Sequence, residues 1–381
     1  MKGEALITED LQICLSMYKQ ICSIRLYPVI LIVMVFIMTA TLYIQNEIRP
    51  SYISSRIRIN KQSGQNLKEV YVKTYKGLVS MDELNNNVYK KFGYEIVEPT
   101  LPVFSDWQTI SEQPQPEYPP KQIPVEQQNE FLLNNYSALY PWYVNDKNSK
   151  KGEKPRNWDK LSEMINWPKN KLGGLAYGTD GVSMYNAMKF HRLDEKNGSS
   201  EVCSHGWKFQ LLSTVRDSFV KLIDQESAAK ILTVEYNELD IQDEFKNRMS
   251  SILPIELVED WQTYESKFDF AASFSSIEHS GLGRYGDPID PIGDIREVLK
   301  IKCMLKQVGL LFIGFPLGTD AIYYNAHRIY GAVRLAMLFN GFEFLGIFNG
   351  SSEMPKNLTS ERLQSKGDFK FSQNTIVLRK L

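Results

Sequence analysis

The chain has 381 residues, 43% of them hydrophobic and 12% aromatic, which suits a folded core and excludes a purely disordered polypeptide. Its 44 basic and 45 acidic residues leave a net charge of −1, and no basic block stands out, so no nucleic acid is expected as a partner. Cys14, Cys22, Cys203 and Cys303 follow no zinc-ligand spacing; Cys203 and Cys303 could pair in an oxidising lumen or remain buried thiols.

Residues 1–25 form an N-terminal tail. From 26 to 44 the sequence LYPVILIVMVFIMTATLYI carries no charge. A helix of that length covers about 29 Å, close to the hydrocarbon thickness of a bilayer. The run is too long and starts too far along the chain for a cleaved signal peptide, so residues 26–45 are expected to span the lipid bilayer as a retained signal-anchor. Lys19 and Arg25 precede the span, while Arg49, Arg56, Arg58 and Lys61 follow it. That count favours a cytoplasmic body, but long domains cross largely regardless of charge. Glycosylation sequons at Asn135, Asn197, Asn349 and Asn357 suit a lumenal body, which places the chain in the endoplasmic reticulum or Golgi as a single-pass protein.

Residues 46–130 read as a stem. A helix fits Tyr71 to Tyr94, and YEIV at 94–97 suits a short strand. Seven prolines between Pro99 and Pro124, in a Gln- and Glu-rich context, favour extended backbone and a semi-rigid spacer.

The body, residues 131–381, begins with helices expected over Asn157–Trp167 and Val182–Leu193. A strand–helix rhythm follows: KFQLLS at 208–213, a helix at 217–230, ILTVEY at 231–236 ending in Glu235, and a short strand at 254–258. Phe268 to Phe274 is an apolar run suited to a buried strand, and the loop after it carries Glu278, His279, Arg284, Tyr285 and Asp287 among Gly281, Gly283 and Gly286. Asp294 can cap the next helix, and GLLFIGF at 309–315 has the uniform apolarity of a strand covered on both faces. A helix from Asn325 to Phe339 stops at Asn340-Gly341, and strands at 342–348 and 375–378 close the chain, one of them a candidate for antiparallel pairing. Such alternation predicts a Rossmann-like three-layer αβα sandwich.

FDFAASFSSIEH resembles the fourth-strand segment of class I S-adenosylmethionine-dependent methyltransferases, VGLLFIGFP their fifth strand, and ILTVEY their second. EHSGLGRYGDPIDPIGD together with NAHRIYG at 325–331 is similar to the nematode-rich family catalogued as domain of unknown function 268, over roughly Tyr177 to the C-terminus. The methyltransferase resemblance implies a methyltransferase-like fold with S-adenosylmethionine as cofactor. Glu235 would accept hydrogen bonds from the ribose hydroxyls, and Ser213 would lie in the loop after the first strand. His279 would act as general base beside Glu278, on a hydroxyl acceptor such as a glycan or small molecule. Arg284, Tyr285, Asp287, Asn325, His327 and Arg328 would line the acceptor side, Arg284 offering a planar fork for an anion or pairing with Asp287 or Asp290. His279 and His327 with Glu278 or Asp287 lack close ligand spacing, and no metal is expected. The stretch after the first strand, LLSTVRDSF, departs from the pattern, because such enzymes place glycines there for close cofactor approach. Two other readings stay open: a non-catalytic binding protein on the same fold, and a glycosyltransferase, suggested by tail, anchor and stem although no Asp-x-Asp pair is present in the expected place.

Overall fold

Apolar runs that alternate with helical segments cannot bury both of their faces alone, and here they assemble into one mixed α/β body. The computed structural model describes residues 71–92, 119–145, 156–172, 178–191, 208–212, 230–235, 239–365 and 373–381, except 75 and 159. All fall in the second of two compact units, residues 54–381. The expected span at 26–45, the strand at 94–97, Ser213, Cys203 and most of the helix at 217–230 lie outside the described residues. Among the described residues no helix is long and apolar enough to cross a membrane.

In chain order the elements are β1 Tyr71–Thr74, β2 Gly77–Ser80, α1 Met81–Asn87, β3 Ala138–Trp142, β4 Arg156–Trp158, α2 Thr179–Phe190, β5 Lys208–Leu212, β6 Lys230–Val234, β7 Leu239–Ile241 and β8 Met249–Ile252. Then come α3 Pro254–Glu259, β9 Phe268–Phe274, α4 Gly293–Met304, β10 Leu305–Pro316, β11 Ala321–Asn325, β12 His327–Ile329, α5 Ala332–Leu338, β13 Phe342–Phe348 and β14 Gln373–Lys380.

The main sheet has the order β13-β14-β10-β9-β5-β6-β8. Its strands run parallel except β14, which pairs antiparallel with both β10 and β13. The chain moves outward from β5 through β6 to β8, then returns to β9 beside β5 and proceeds the other way. That reversal is a topological switch point, and open α/β sheets bind ligands in the crevice outside the carboxyl ends of the strands there.

Period-two alternation divides the core into two layers. Ala271, Leu311, Ile313, Ile376 and Leu378 face one layer with Ile295, Val298 and Val333. Phe270, Ala272, Phe274, Phe312 and Val377 face the other with Met184, Ala187 and Met188 of α2. Each fully buried Val, Leu, Ile, Phe or Met side chain among them contributes about 1.5–3 kcal/mol.

Several expectations change. Residues 254–258 are helix α3 rather than a strand, since Pro254 sits in the first turn and the Glu256 carboxylate accepts the Leu253 N–H at 2.8 Å. The outer strand is β8, just before it. Asn325 ends β11, Ala326 turns and His327–Ile329 form β12, and the helix begins only at Ala332, because the Asp320 carboxylate accepts N–H bonds from Gly331, Val333 and Arg334. Asp294 does not cap α4; Ile292 holds that position. Of the helix expected at 157–167 only Leu161–Ile165 forms, preceded by β4. In place of the single helix expected over Tyr71 to Tyr94, the described residues 71–92 hold a hairpin, α1 and a 3-10 turn. Inside the expected stem, Met81, Leu84, Val88 and Tyr89 belong to the core, and the Tyr89 hydroxyl donates to the Val333 carbonyl at 3.1 Å. Cys303 is a half-buried free thiol.

Candidate functional site

Glu235 follows β6, its side chain buried at the carboxyl edge of the sheet and its N–H bonded to the Ile252 carbonyl at 3.2 Å. Two strands away, β9 ends at Phe274 and the chain turns sharply. Ser275 adopts a left-handed φ of 51°, costly for a side chain bearing a Cβ, and its N–H bonds the Gly314 carbonyl at 2.9 Å. This turn sends Ile277–His279 across the strand ends as a short 3-10 helix.

Glu278 is 1% exposed. Gln373, the first residue of β14, donates from its side-chain Nε2 to Glu278 Oε1 at 3.2 Å and to Ser275 Oγ at 2.9 Å. Burial pushes the Glu278 carboxyl up to about 7, against the pull of its own N–H, Ser275, Gln373 and Arg284 toward the ionised form. Glu278 Oε2 and Ser273 Oγ are buried and have no hydrogen-bond partner among the described residues.

His279 is placed differently from the expected general base. Its Nδ1 lies 2.6 Å from the Ala326 carbonyl, an acceptor only, so Nδ1 carries the hydrogen and Nε2 keeps the lone pair. Nε2 stands 3.8 Å from Glu278 Oε1. Burial first, and the Arg284 guanidinium second, lower the imidazole to about 3 despite the Ala326 bond. A base this weak accepts a proton poorly near neutrality, so Glu278 is the better matched of the two for proton transfer.

Arg284 donates to the Ala326 carbonyl at 3.1 Å and stacks its guanidinium over Tyr285 at 5.0 Å, while Tyr285 meets His279 edge-to-face at 5.5 Å. His327 lies on a second, three-stranded sheet of order β12-β11-β3. Its ring stacks on Tyr323 at 5.1 Å, and Tyr323 stacks on Tyr140 at 4.9 Å, a row fixed by cross-strand register. Burial and then Arg284 lower His327 to about 4. His279, Arg284, Tyr285 and His327 therefore gather in one place.

The remaining acceptor-side candidates serve the backbone. The Asp287 carboxylate accepts N–H bonds from Gly283 at 3.0 Å and Tyr285 at 3.1 Å, and burial raises it. Asp290 pairs with Arg296 at 2.9 Å. Asn325 is buried and accepts the Val144 N–H at 2.8 Å. Arg328 is wholly buried, donating to the carbonyls of Ser280 and Asp290. Behind it Asp294 is buried, which alone would raise it, yet Arg328 and a bidentate pair with Arg334 at 2.7 and 2.8 Å hold it below the usual range. Gly281 (φ 80°) is wedged against the Asp290 carbonyl, 2.2 Å from where a Cβ would stand. Among the described residues no His, Cys, Asp and Glu group is arranged to hold a metal ion.

Gln373 and Ser275 were not among the residues expected from sequence. A lone glutamine ahead of a final strand gives no sign that antiparallel insertion will carry it to the same edge as Glu278.

Residues 218–381 match the family described as Caenorhabditis protein of unknown function, DUF268. The match contains Glu235, the whole loop after β9 and Gln373, and it bears out the resemblance drawn from EHSGLGRYGDPID and NAHRIYG. No curated protein matches the chain. Solved structures similar to it include the Burkholderia thailandensis 1,6-didemethyltoxoflavin-N1-methyltransferase with bound S-adenosylhomocysteine, at 14% identity and TM-score 0.35, covering 53% of this chain and 80% of that one. The [4+2]-cyclase SpnF is similar at 12% identity and TM-score 0.34, covering 59% and 97%. An O-methyltransferase family 2 protein from Planctomyces limnophilus, in complex with apigenin, follows at 11% and TM-score 0.31, covering 51% and 57%. Likenesses at this level carry no argument about chemistry; the strand order and side chains of this chain do.

Proposed function

We propose that this is a methyltransferase-like protein that binds S-adenosylmethionine in the crevice outside β5 and β9 and passes its methyl group to a hydroxyl acceptor such as a glycan. The observation that carries the reading is the switch point itself, flanked by buried Glu235 after β6 and buried Glu278 after β9. The residues fit such a ligand: Ser273 Oγ and Glu278 Oε2 are buried polar atoms left without a hydrogen-bond partner among the described residues. When bound, the cofactor would supply a sulfonium methyl to the acceptor oxygen, leaving S-adenosylhomocysteine and one hydroxyl proton for a base to take. In this reading Glu235 accepts from the ribose hydroxyls, and Glu278 receives the proton at Oε2. His279, neutral and tethered to Ala326, orients the acceptor through Nε2. Residues 26–45 anchor the body in the membrane of the secretory pathway, with the body lumenal.

A second reading, a non-catalytic protein on the same fold, draws support from His279, whose lowered basicity leaves no histidine base in the cluster. Thermal melting of the full chain in detergent micelles with and without S-adenosylmethionine is the test. Saturation at about 100 times Kd should stabilise the fold by roughly 2.7 kcal/mol, and no shift at millimolar cofactor would remove the cofactor reading.

A further inference from the structure

The environment of Glu278 is asymmetric. Its Oε1 side receives the Gln373 amide, with Ser275 close by, whereas Oε2 has no hydrogen-bond partner among the described residues. Gln373 is 3% exposed and shows the same asymmetry: its Nε2 donates both side-chain hydrogen bonds, while Oε1 is buried without a partner among the described residues. The carboxylate dictates this orientation, because only the amide nitrogen can donate to it. The backbone is fixed as well, since the Gln373 N–H donates to Asp180 Oδ2 at 2.8 Å from the first turn of α2. Three elements thus converge to hold two buried acceptor oxygens bare at the carboxyl edge of the sheet. Leaving such buried oxygens unsatisfied costs their full desolvation, so the arrangement asks for donors.

We propose that Glu278 Oε2 and Gln373 Oε1 form a two-oxygen clamp for neighbouring O–H or N–H donors of the bound ligand, with Gln373 as the positioning residue that presents the carboxylate. The ligand group is a diol or an ammonium. Both occur on S-adenosylmethionine, and hydroxyls occur on a sugar acceptor; an acceptor-only group, such as an ether, would meet two lone pairs wherever Glu278 is ionised and bind poorly there. The inference rests on the crevice being a ligand site, and it holds whichever molecule supplies the donors.

The test uses the full chain in detergent micelles, as wild type, Gln373→Leu and Glu278→Gln. Melting and equilibrium binding are followed with S-adenosylmethionine alone, and with glucose or N-acetylglucosamine in the presence of S-adenosylhomocysteine. Glu278→Gln keeps the side-chain shape, so it decides the matter should Gln373→Leu fail to fold when unliganded. Whichever probe stabilises the wild type should bind at least about tenfold more weakly to the variants. Weakening of S-adenosylmethionine assigns the clamp to the cofactor; weakening confined to a sugar assigns it to the acceptor. A sugar response without any response to S-adenosylmethionine keeps the clamp and removes the cofactor reading. If S-adenosylmethionine binds all three proteins equally and no sugar shifts any of them, a buried water alone fills the clamp; the inference then falls while the cofactor reading stands. Silence from every probe on the wild type overturns both.

Discussion

Glu278 holds a proton differently in the folded and unfolded chain, and that difference has a sign that can be measured. Its ordinary value of 4.5 rises to about 7 on folding because burial disfavours the charge. The resulting preference for the folded state is fully present below about pH 4.5 and is lost as pH rises through about 7. At 1.36 kcal/mol per pKa unit it amounts to about 3 kcal/mol. Denaturation midpoints of wild type and Glu278→Gln, compared from pH 4.5 to 8, should show the wild type losing stability relative to the variant. His279 and His327 carry the opposite sign, stabilising above their ordinary 6.5 and losing that contribution as pH falls through about 3 and about 4. They are common to both proteins and cancel in the difference. A flat difference would mean that Glu278 meets water. Glu235, Glu278 and His279 are legible in the sequence because each follows an apolar run. Their roles are less so: nothing in EHS reveals that His279 Nδ1 will be committed to the Ala326 carbonyl, a contact between segments 47 residues apart.

At the scale of elements, the loop from Ser275 to Asp290 is shaped by backbone rather than by its charged groups. Gly281 sits at φ 80° with the Asp290 carbonyl where a Cβ would go, and Gly293 packs directly on it. Gly77 also has a positive φ, 112°, but open space around it. Gly77→Ala should therefore cost only the conformational penalty, about 1 kcal/mol, whereas Gly281→Ala adds a backbone collision and should exceed about 2 kcal/mol. Urea denaturation of the two variants separates them; equal losses would show that the loop relaxes freely. Strands β5, β6, β9, β10, β13 and β14 are all readable from apolar runs, because a strand covered on both faces needs no partner information to be recognised. The errors arise where a side chain from elsewhere chooses the structure. Asp320 holds the N-terminus of α5 at Gly331 and leaves the residues before it to the β11–β12 hairpin, and Arg334 draws Asp294 away from helix capping.

For the whole molecule, the packed segment from Tyr71 to Phe92 redraws the boundary of what must be present for folding. A body starting at residue 131 lacks Met81, Leu84, Val88 and Tyr89, all buried in the core layer that contains Val333 and Leu335. A chain of residues 66–381 should melt cooperatively, and one of residues 131–381 should lose several kcal/mol or fail to fold. Calorimetry of the two proteins checks this, and identical melting would return residues 71–92 to the role of a spacer. The sequence conceals the packing because α1 is only seven residues long, too short to show helical periodicity.

The antiparallel strand β14 lies between β10 and β13, so β13 has no partner in the main sheet until β14 is in place. Until β14 docks, the Leu310 to Phe315 edge of β10 is an unpaired, almost wholly apolar template. Such an edge can also be paired by a strand from another copy of the chain. The step that brings Gln373 to Glu278 is thus also the step that closes the route to aggregation, and the fold's kinetic hazard and its candidate chemistry are resolved by the same strand.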